Sequence, residues 1–149
     1  MPAKNIDHDA VRDALIADGW TITDDPLTVV YGGRRLHVDL GVERARLGAE
    51  RDGERIAVEV QSFVGESHMD SLHHAVGQYC VYRVVLNRTE PERLLFLAVR
   101  DTVYRTVFEE QLGQTVAADL QIRFLVYNAT RRRIVQWISG TDTGRSSGS

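Results

Sequence analysis

Leu36-His37-Val38-Asp39-Leu40 and Ile56-Ala57-Val58-Glu59-Val60-Gln61 are the two stretches around which the rest of the chain can be organised. Each alternates apolar and polar residues, the pattern of a half-buried strand, because successive strand side chains point to opposite faces. In the first, Leu36, Val38 and Leu40 are expected on one face and His37 and Asp39 on the other. In the second, Ile56, Val58 and Val60 share a face, leaving Ala57, Glu59 and Gln61 opposite. As neighbours these strands would bring Asp39 and Glu59 to one point, with Gln61 two residues along. Two carboxylates between apolar neighbours repel each other and lose hydration. A bound Mg²⁺ (or Mn²⁺), which prefers oxygen ligands and keeps several waters, resolves that conflict. A half-exposed sheet that turns both acids to water accounts for the same alternation.

Outward from these strands, Leu27 to Tyr31 and Arg35 to Leu40 read as a hairpin joined through Gly32-Gly33. Before it lies a helix with Asp7 as its N-cap, with Val11, Ala14 and Leu15 on one face and Gly19 stopping it, then an extended Trp20 to Thr23 and a turn at Asp24-Asp25-Pro26. Gly48 to Gly53 reads as a polar loop leading into a strand from Arg55 to Phe63. A long helix is expected from about Ser67 to Asn87, ended before Pro91. The continuous apolar run Leu94 to Val99 suits a strand buried on both faces. Asp101 is expected to cap a helix running to about Leu112, followed by a short segment, Thr115 to Asp119. A second hairpin is expected from Gln121–Tyr127 and Arg133–Ile138 around Asn128-Ala129-Thr130. The order predicts an α/β fold with a central mixed sheet flanked by helices. One domain over 1–138 is followed by a Gly/Ser/Thr-rich tail over 139–149 that has no apolar anchor and is expected to be disordered.

The chain has 149 residues, enough for one domain with a real core. Its single cysteine, Cys80, excludes an internal disulfide and fits a reducing compartment. The polar, acid-bearing start from Met1 to Asp13 is unlike a signal peptide, and no apolar run is long enough for a membrane span, so a cytoplasmic protein is expected. The net charge of −3 gives no general attraction to phosphate backbones. The local basic clusters Arg34-Arg35, Arg44 with Arg46, and Arg131-Arg132-Arg133 read as solvated hairpin ends.

Val38-Asp39-Leu40 followed by Glu59-Val60-Gln61 resembles the Asp…Glu-x-Lys signature of PD-(D/E)XK nucleases. The resemblance narrows to the fdxN-element excision controlling factors, the XisH-like proteins. It is carried by Pro2-Ala3-Lys4, His8-Asp9-Ala10-Val11, Ala14-Leu15-Ile16, Asp18-Gly19-Trp20-Thr21-Ile22-Thr23, Asp39-Leu40-Gly41 and Ile56-Ala57-Val58-Glu59-Val60 with Ser62-Phe63. It continues through Gly77-Gln78, Tyr82-Arg83, Glu90-Pro91-Glu92-Arg93 and Val135-Gln136-Trp137-Ile138, nearly the whole chain except the tail. The resemblance implies a restriction-endonuclease-like core and a part in programmed excision of a DNA element during differentiation in cyanobacteria, where the family controls the recombination. It also implies DNA and a companion excision-controlling protein as partners, and a homodimer would supply two sites for two strands. Asp39, Glu59 and the Val60 carbonyl would hold the cation. The chain departs from the signature at Gln61, where the family of nucleases carries a lysine that positions or activates the attacking water. Gln neither accepts a proton at neutral pH nor supplies positive charge.

Gln78 and Tyr82 are four apart, so they share a helical stripe, with His74 one turn back. Following the Glu-x-Gln strand, they resemble the Q-x-x-x-Y element of RecB-like nucleases, which helps orient the site and contact DNA. An amphipathic helix with a polar stripe is the plain alternative. Related nucleases also bring a carboxylate from the first helix, here Asp9, for which capping and solvation is the competing account. His37, His68, His73 and His74 lack the Cys/His spacing of a zinc site and read as surface residues. Cys80, Trp20 and Trp137 read as packing residues. Two classes of function remain: a Mg²⁺-dependent phosphodiesterase using Asp39, Glu59 and Gln61, or a non-catalytic DNA- or protein-binding regulator on the same fold.

Overall fold

The computed structural model describes residues 3–45, 53–63 and 67–139. Helix α1 (Ala3–Ala17) is followed by five strands, β1 (Thr21–Asp24), β2 (Leu27–Tyr31), β3 (Arg34–Val38), β4 (Leu40–Arg44) and β5 (Glu54–Val60). Helix α2 (His68–Thr89) leads to β6 (Leu94–Arg100), then come the single turn α3 (Asp101–Val103), a π-helical turn Tyr104–Phe108 and helix α4 (Gln111–Leu120). Strands β7 (Phe124–Asn128) and β8 (Arg133–Ile138) close the fold. Six strands form a mixed sheet in the order β1-β4-β5-β6-β7-β8, and β2-β3 pair apart from it as a hairpin. Strands β5, β6 and β7 run parallel, while β1/β4, β4/β5 and β7/β8 are antiparallel. The α/β architecture with a mixed central sheet between helices is the one expected.

The two faces of that sheet make two cores. Ile56, Val58 and Val60 of β5 pack with Leu40, Val42, Ala98, Leu125 and Tyr127 under Ala10, Val11 and Leu15 of α1. Ala57 packs with Leu95, Leu97, Val99, Phe124 and Val126 against Leu72, Ala75, Tyr79 and Leu86 of α2. Alternation at period two explains the division, and the apolar run at β6 is buried on both faces because each face has its own helical cover. Helix α2 is pinned to the sheet by the Tyr79 hydroxyl, which donates to Leu95 O at 3.0 Å and accepts from Arg123 N at 3.1 Å. Helix α1 packs against β8; Asp13 pairs with Arg132 in the turn before that strand, and Trp20, just after the helix, has its ring 5.9 Å from that of Trp137.

Several expectations are corrected. Arg35 to Leu40 is not one strand. Val38 belongs to the α2-side core and Leu40 to the α1-side core, with Asp39 the bend between β3 and β4. Leu36, Val38 and Leu40 therefore do not share a face, because the chain leaves the hairpin and enters the main sheet at this residue. Asp7 is not an N-cap: α1 begins at Ala3, and Asp7 is wholly buried inside it, accepting from Arg100 Nε at 2.7 Å. The expected helix from Asp101 to Leu112 breaks after Phe108, and Thr115 to Asp119 falls within α4. The widened turn lets Tyr104 and Phe108 both meet Phe124, with ring centroids 5.2 and 4.7 Å from it. The strand expected from Gln121 begins at Phe124 because Gln121, at φ 53°, caps α4. Arg44 is no solvated end: it lies over the Trp20 ring at 4.2 Å and pairs with Asp18 and Glu54. Arg46, most of the Gly48–Gly53 loop and the tail beyond Ser139 lie outside the described residues. Among the described residues no helix is long and apolar enough to cross a membrane.

Gly113 marks the closest approach of α4 to the π-helical turn. A Cβ there would sit 1.9 Å from Val107 O and 2.8 Å from Phe108 Cα, both backbone atoms that cannot swing away. Gly113→Ala is expected to cost about 2 kcal/mol, the range of overpacked sites, and to lower the melting temperature by about 7 °C. A thermal melt within a degree of wild type would show that the two turns separate freely.

Candidate active site

The β4–β5 register, with Leu40 opposite Val58, leaves Asp39 across from Glu59 where the carboxyl end of β5 meets the bend. The two acids are tied to each other's strands. The Asp39 backbone N–H donates to Glu59 Oε1 at 3.1 Å, and the Val60 N–H donates to Asp39 Oδ2 at 2.8 Å. Each carboxylate thus supplies an acceptor that the broken strand pairing at the bend would otherwise lack. Glu59 is 1% exposed and the Asp39 side chain 15%, so the pair lies at the bottom of a shallow rim rather than on an open sheet. Gln61 continues the ladder by donating its backbone N–H to Ala98 O at 3.0 Å. Strand alternation returns it to the face of Glu59.

Helix α2 covers this face. Gln78 Nε2 donates to the Tyr82 hydroxyl at 3.3 Å. The Tyr82 phenol is pushed above its usual pKa by burial first, then by the charge of Glu59, with Asp39 adding to it and the Gln78 bond opposing. Tyr82 therefore sits in the field of both acids and stays a neutral hydroxyl at physiological pH. From the other side, α1 brings His8, whose Nδ1 is 3.9 Å from Asp39 Oδ1 and whose Nε2 is 2.8 Å from Asp25 Oδ1. Arg12 Nε lies 3.3 Å from Asp25 Oδ2, which extends the series Arg12–Asp25–His8–Asp39.

The model of the XisH protein family matches residues 1–135 of the chain. The chain belongs to the XisH family. An XisH family protein of known structure from Nostoc punctiforme PCC 73102 is 41% identical to it, over 89% of this chain and 98% of that one, with a TM-score of 0.81. An fdxN element excision controlling factor protein from Anabaena variabilis is 40% identical, over 90% and 98%, with a TM-score of 0.80. A search of the curated proteins found no match.

Within this XisH chain the singled-out residues fall into two groups. Asp39, Glu59, Val60 and Gln61 gather at the end of β5, and Gln78 and Tyr82 face the acids from α2. Asp9 is exposed, and among the described residues no hydrogen bond or ion pair joins it to either acid. His37 is exposed on β3, bonded to Thr28 Oγ1 at 3.0 Å, and His68, His73 and His74 line the exposed side of α2. His8, offered by the same helix as Asp9, is the residue that α1 brings to the acids instead, and its signal is present in the sequence. With Asp7, Ala10, Val11, Ala14 and Leu15 forming the buried stripe, helical phase puts position 8 at the stripe's edge and position 9 opposite it. A second polar cluster, Asp7, Arg100 and Tyr127, fastens α1 at the carboxyl end of β6 and β7, one residue from His8. Burial, and next the neighbouring Asp7, push the Tyr127 phenol far above its ordinary range, while the Asp7 hydrogen bond raises the Arg100 guanidinium.

Proposed function

We propose that this chain is an excision-controlling factor that acts on DNA through a metal-dependent phosphodiester-hydrolysing site of PD-(D/E)XK type at Asp39, Glu59, Val60 and Gln61. The observation that carries the reading is the reciprocal clamp of Asp39 and Glu59 at the carboxyl end of β5. The name of the Anabaena variabilis relative supports the link to DNA-element excision. No group of three or more His, Cys, Asp or Glu side chains among the described residues is arranged to hold an ion. A pair of carboxylates is enough for Mg²⁺ or Mn²⁺, which take one or two and complete their shell with water and phosphate oxygens. Asp39, Glu59 and the Val60 carbonyl would hold the cation, which when bound lowers the pKa of water and offsets phosphate charge. Gln61 would orient the attacking water through its amide. Tyr82, kept neutral, would donate to a phosphate oxygen, and Gln78 fixes its hydroxyl. Burial of Glu59 keeps it from rotating to solvent.

A second reading rests on Gln61 itself: without the lysine's charge the site is electrostatically weaker, which suits a regulator that acts through a companion protein. Titration calorimetry with Mg²⁺ and Mn²⁺, followed by incubation with supercoiled, linear and branched DNA, separates the two. In the catalytic reading Mn²⁺ binds wild type and metal-dependent cleavage products appear. Glu59→Gln should lose Mn²⁺ binding while its melting temperature stays equal or rises slightly. The amide oxygen can still accept from Asp39 N–H, and one of two repelling charges is gone. Unchanged Mn²⁺ affinity in the variant would remove Glu59 from the site.

A further inference from the structure

The β2–β3 hairpin is basic and acid-free, as is the β7–β8 hairpin with Arg131, Arg132 and Arg133, but it is the one that runs directly into Asp39. The chain's 21 acids outnumber its 18 basic residues, yet Leu27 to Val38 carries Arg34, Arg35 and His37 and no acid. Elsewhere many arginines are neutralised: Arg12, Arg44, Arg55, Arg93, Arg100 and Arg132 each lie within 4.0 Å of a carboxylate. Arg34 and Arg35 have no carboxylate partner among the described residues, and both are exposed. A solvated hairpin end would account for two unpaired arginines, but it would not account for the surface around them. Val30 and Tyr31, their cross-strand partners, are 59% and 47% exposed, so the tip also presents apolar area.

The base of the hairpin is rigid where its tip is free. Leu27, Val29 and Val38 are buried in the core beneath α2, and Gly32-Gly33, at φ 61° and 78°, makes the tight turn that holds the strands in register. The hairpin also runs directly into the candidate site, since β3 ends at Val38 and the next residue is Asp39. At about 3.3 Å per strand residue, Arg35 and Arg34 stand roughly 13 to 17 Å from Asp39 along the ribbon. That distance equals about four or five base-pair steps of duplex.

We infer that the β2–β3 hairpin is an arm that lies along the phosphate backbone of duplex DNA, with Arg34 and Arg35 contacting phosphates a few nucleotides from the one at Asp39 and Glu59. The inference rests on the DNA-acting reading above and adds the surface that holds the substrate. Charge complementarity selects the occupant: an acid-free cationic ribbon on a net-acidic protein suits a polyanion. Phosphate contacts of this kind position a duplex without reading its sequence.

The test is fluorescence anisotropy of a labelled duplex of arbitrary sequence, with a chelator present to prevent cleavage, over about 50 to 200 mM salt. Arg34→Ala/Arg35→Ala should weaken binding roughly tenfold or more at physiological salt and lower the salt slope by about two, one for each lost phosphate contact. Arg34→Lys/Arg35→Lys should keep the slope. Arg88→Ala/Arg123→Ala removes the same charge near the amino ends of the parallel strands and should leave the slope near wild type. If wild type binds duplex and the hairpin alanine variant binds it equally with the same slope, the arm is overturned and the DNA reading stands. If wild type binds no duplex at any salt, the DNA reading fails and takes the arm with it. Retained DNA affinity with loss of a dimer in sedimentation would make the hairpin a protein interface and overturn the proposal. Circular dichroism checks that the variants fold.

Discussion

Gln61→Lys is expected to raise DNA cleavage by about a hundredfold in the presence of Mg²⁺ or Mn²⁺. Gln61 is half-buried at the end of β5, and its backbone is held in the parallel ladder by Ala98 O. A lysine there starts from a fixed Cα two residues beyond Glu59. Its four-carbon stem can carry the ammonium past the rim while packing its methylenes below. A positive charge beside the attacking water and the scissile phosphate stabilises the negative charge that develops in the transition state. Contributions of this kind are often worth about 3 kcal/mol. The control is Gln61→Lys/Glu59→Ala on the same DNA. Cleavage that rises in the first variant and vanishes in the second places hydrolysis at the acidic pair. If neither variant cuts DNA while both are folded and the first binds Mn²⁺, the regulator reading is the right one.

Arg100→Ala is expected to destabilise the fold by about 3 kcal/mol, lowering its melting temperature by about 10 °C. Asp7 is fully buried, and the 2.7 Å bond from Arg100 Nε answers its charge. Among the described residues Asp7 Oδ2 and the Tyr127 hydroxyl have no hydrogen-bond partner, so once the guanidinium is removed only the neighbouring Tyr127 phenol is at hand to answer the carboxylate. The low end of the range for broken buried pairs applies because the Arg100 side chain is 34% exposed, which lets water reach its place. Asp7→Ala/Arg100→Ala should recover part of the loss by removing the stranded charge. A melting temperature for Arg100→Ala within two degrees of wild type would show that α1 is held by its apolar stripe alone. The same variant should disturb the candidate site, since His8 follows Asp7 on the helix.

The sheet was legible where side chains alternate against two covers. The β5 run Ile56 to Val60 was read with the right faces because burial on a strand depends on local parity, and the apolar run of β6 was read as covered on both sides. Asp39 shows where that reading ends. Parity holds only within one strand, and at the bend the chain passes from one sheet to another. Nothing local in Val38-Asp39-Leu40 marks the passage, since both neighbours are buried apolar residues. The two acids meet all the same, because the antiparallel β4–β5 register sets Asp39 across from Glu59, whereas the expectation rested on a shared strand face. Asp7 was misread for a related reason. An acid near a helix start suits a cap, and the partner that draws it inward, Arg100, lies 93 residues along the chain. The break after Phe108 likewise depends on Phe124, across the core, and on Gly113.

The docking of α1 on the last strand bears on how the molecule is made. Trp20 cannot meet Trp137, nor Asp13 meet Arg132, until β8 has been synthesised. More than a hundred residues separate the end of α1 from β8, so at about 5 to 20 residues per second the first helix waits roughly 6 to 25 s for its final neighbour. During that interval Val11, Ala14 and Leu15 form an apolar stripe without its complete cover on the ribosome. The nascent chain is therefore most vulnerable to association with its neighbours on a polysome until β8 has emerged and docked. A slower final stretch of translation would lengthen that exposure, whereas a chaperone held at the ribosome exit would shorten it.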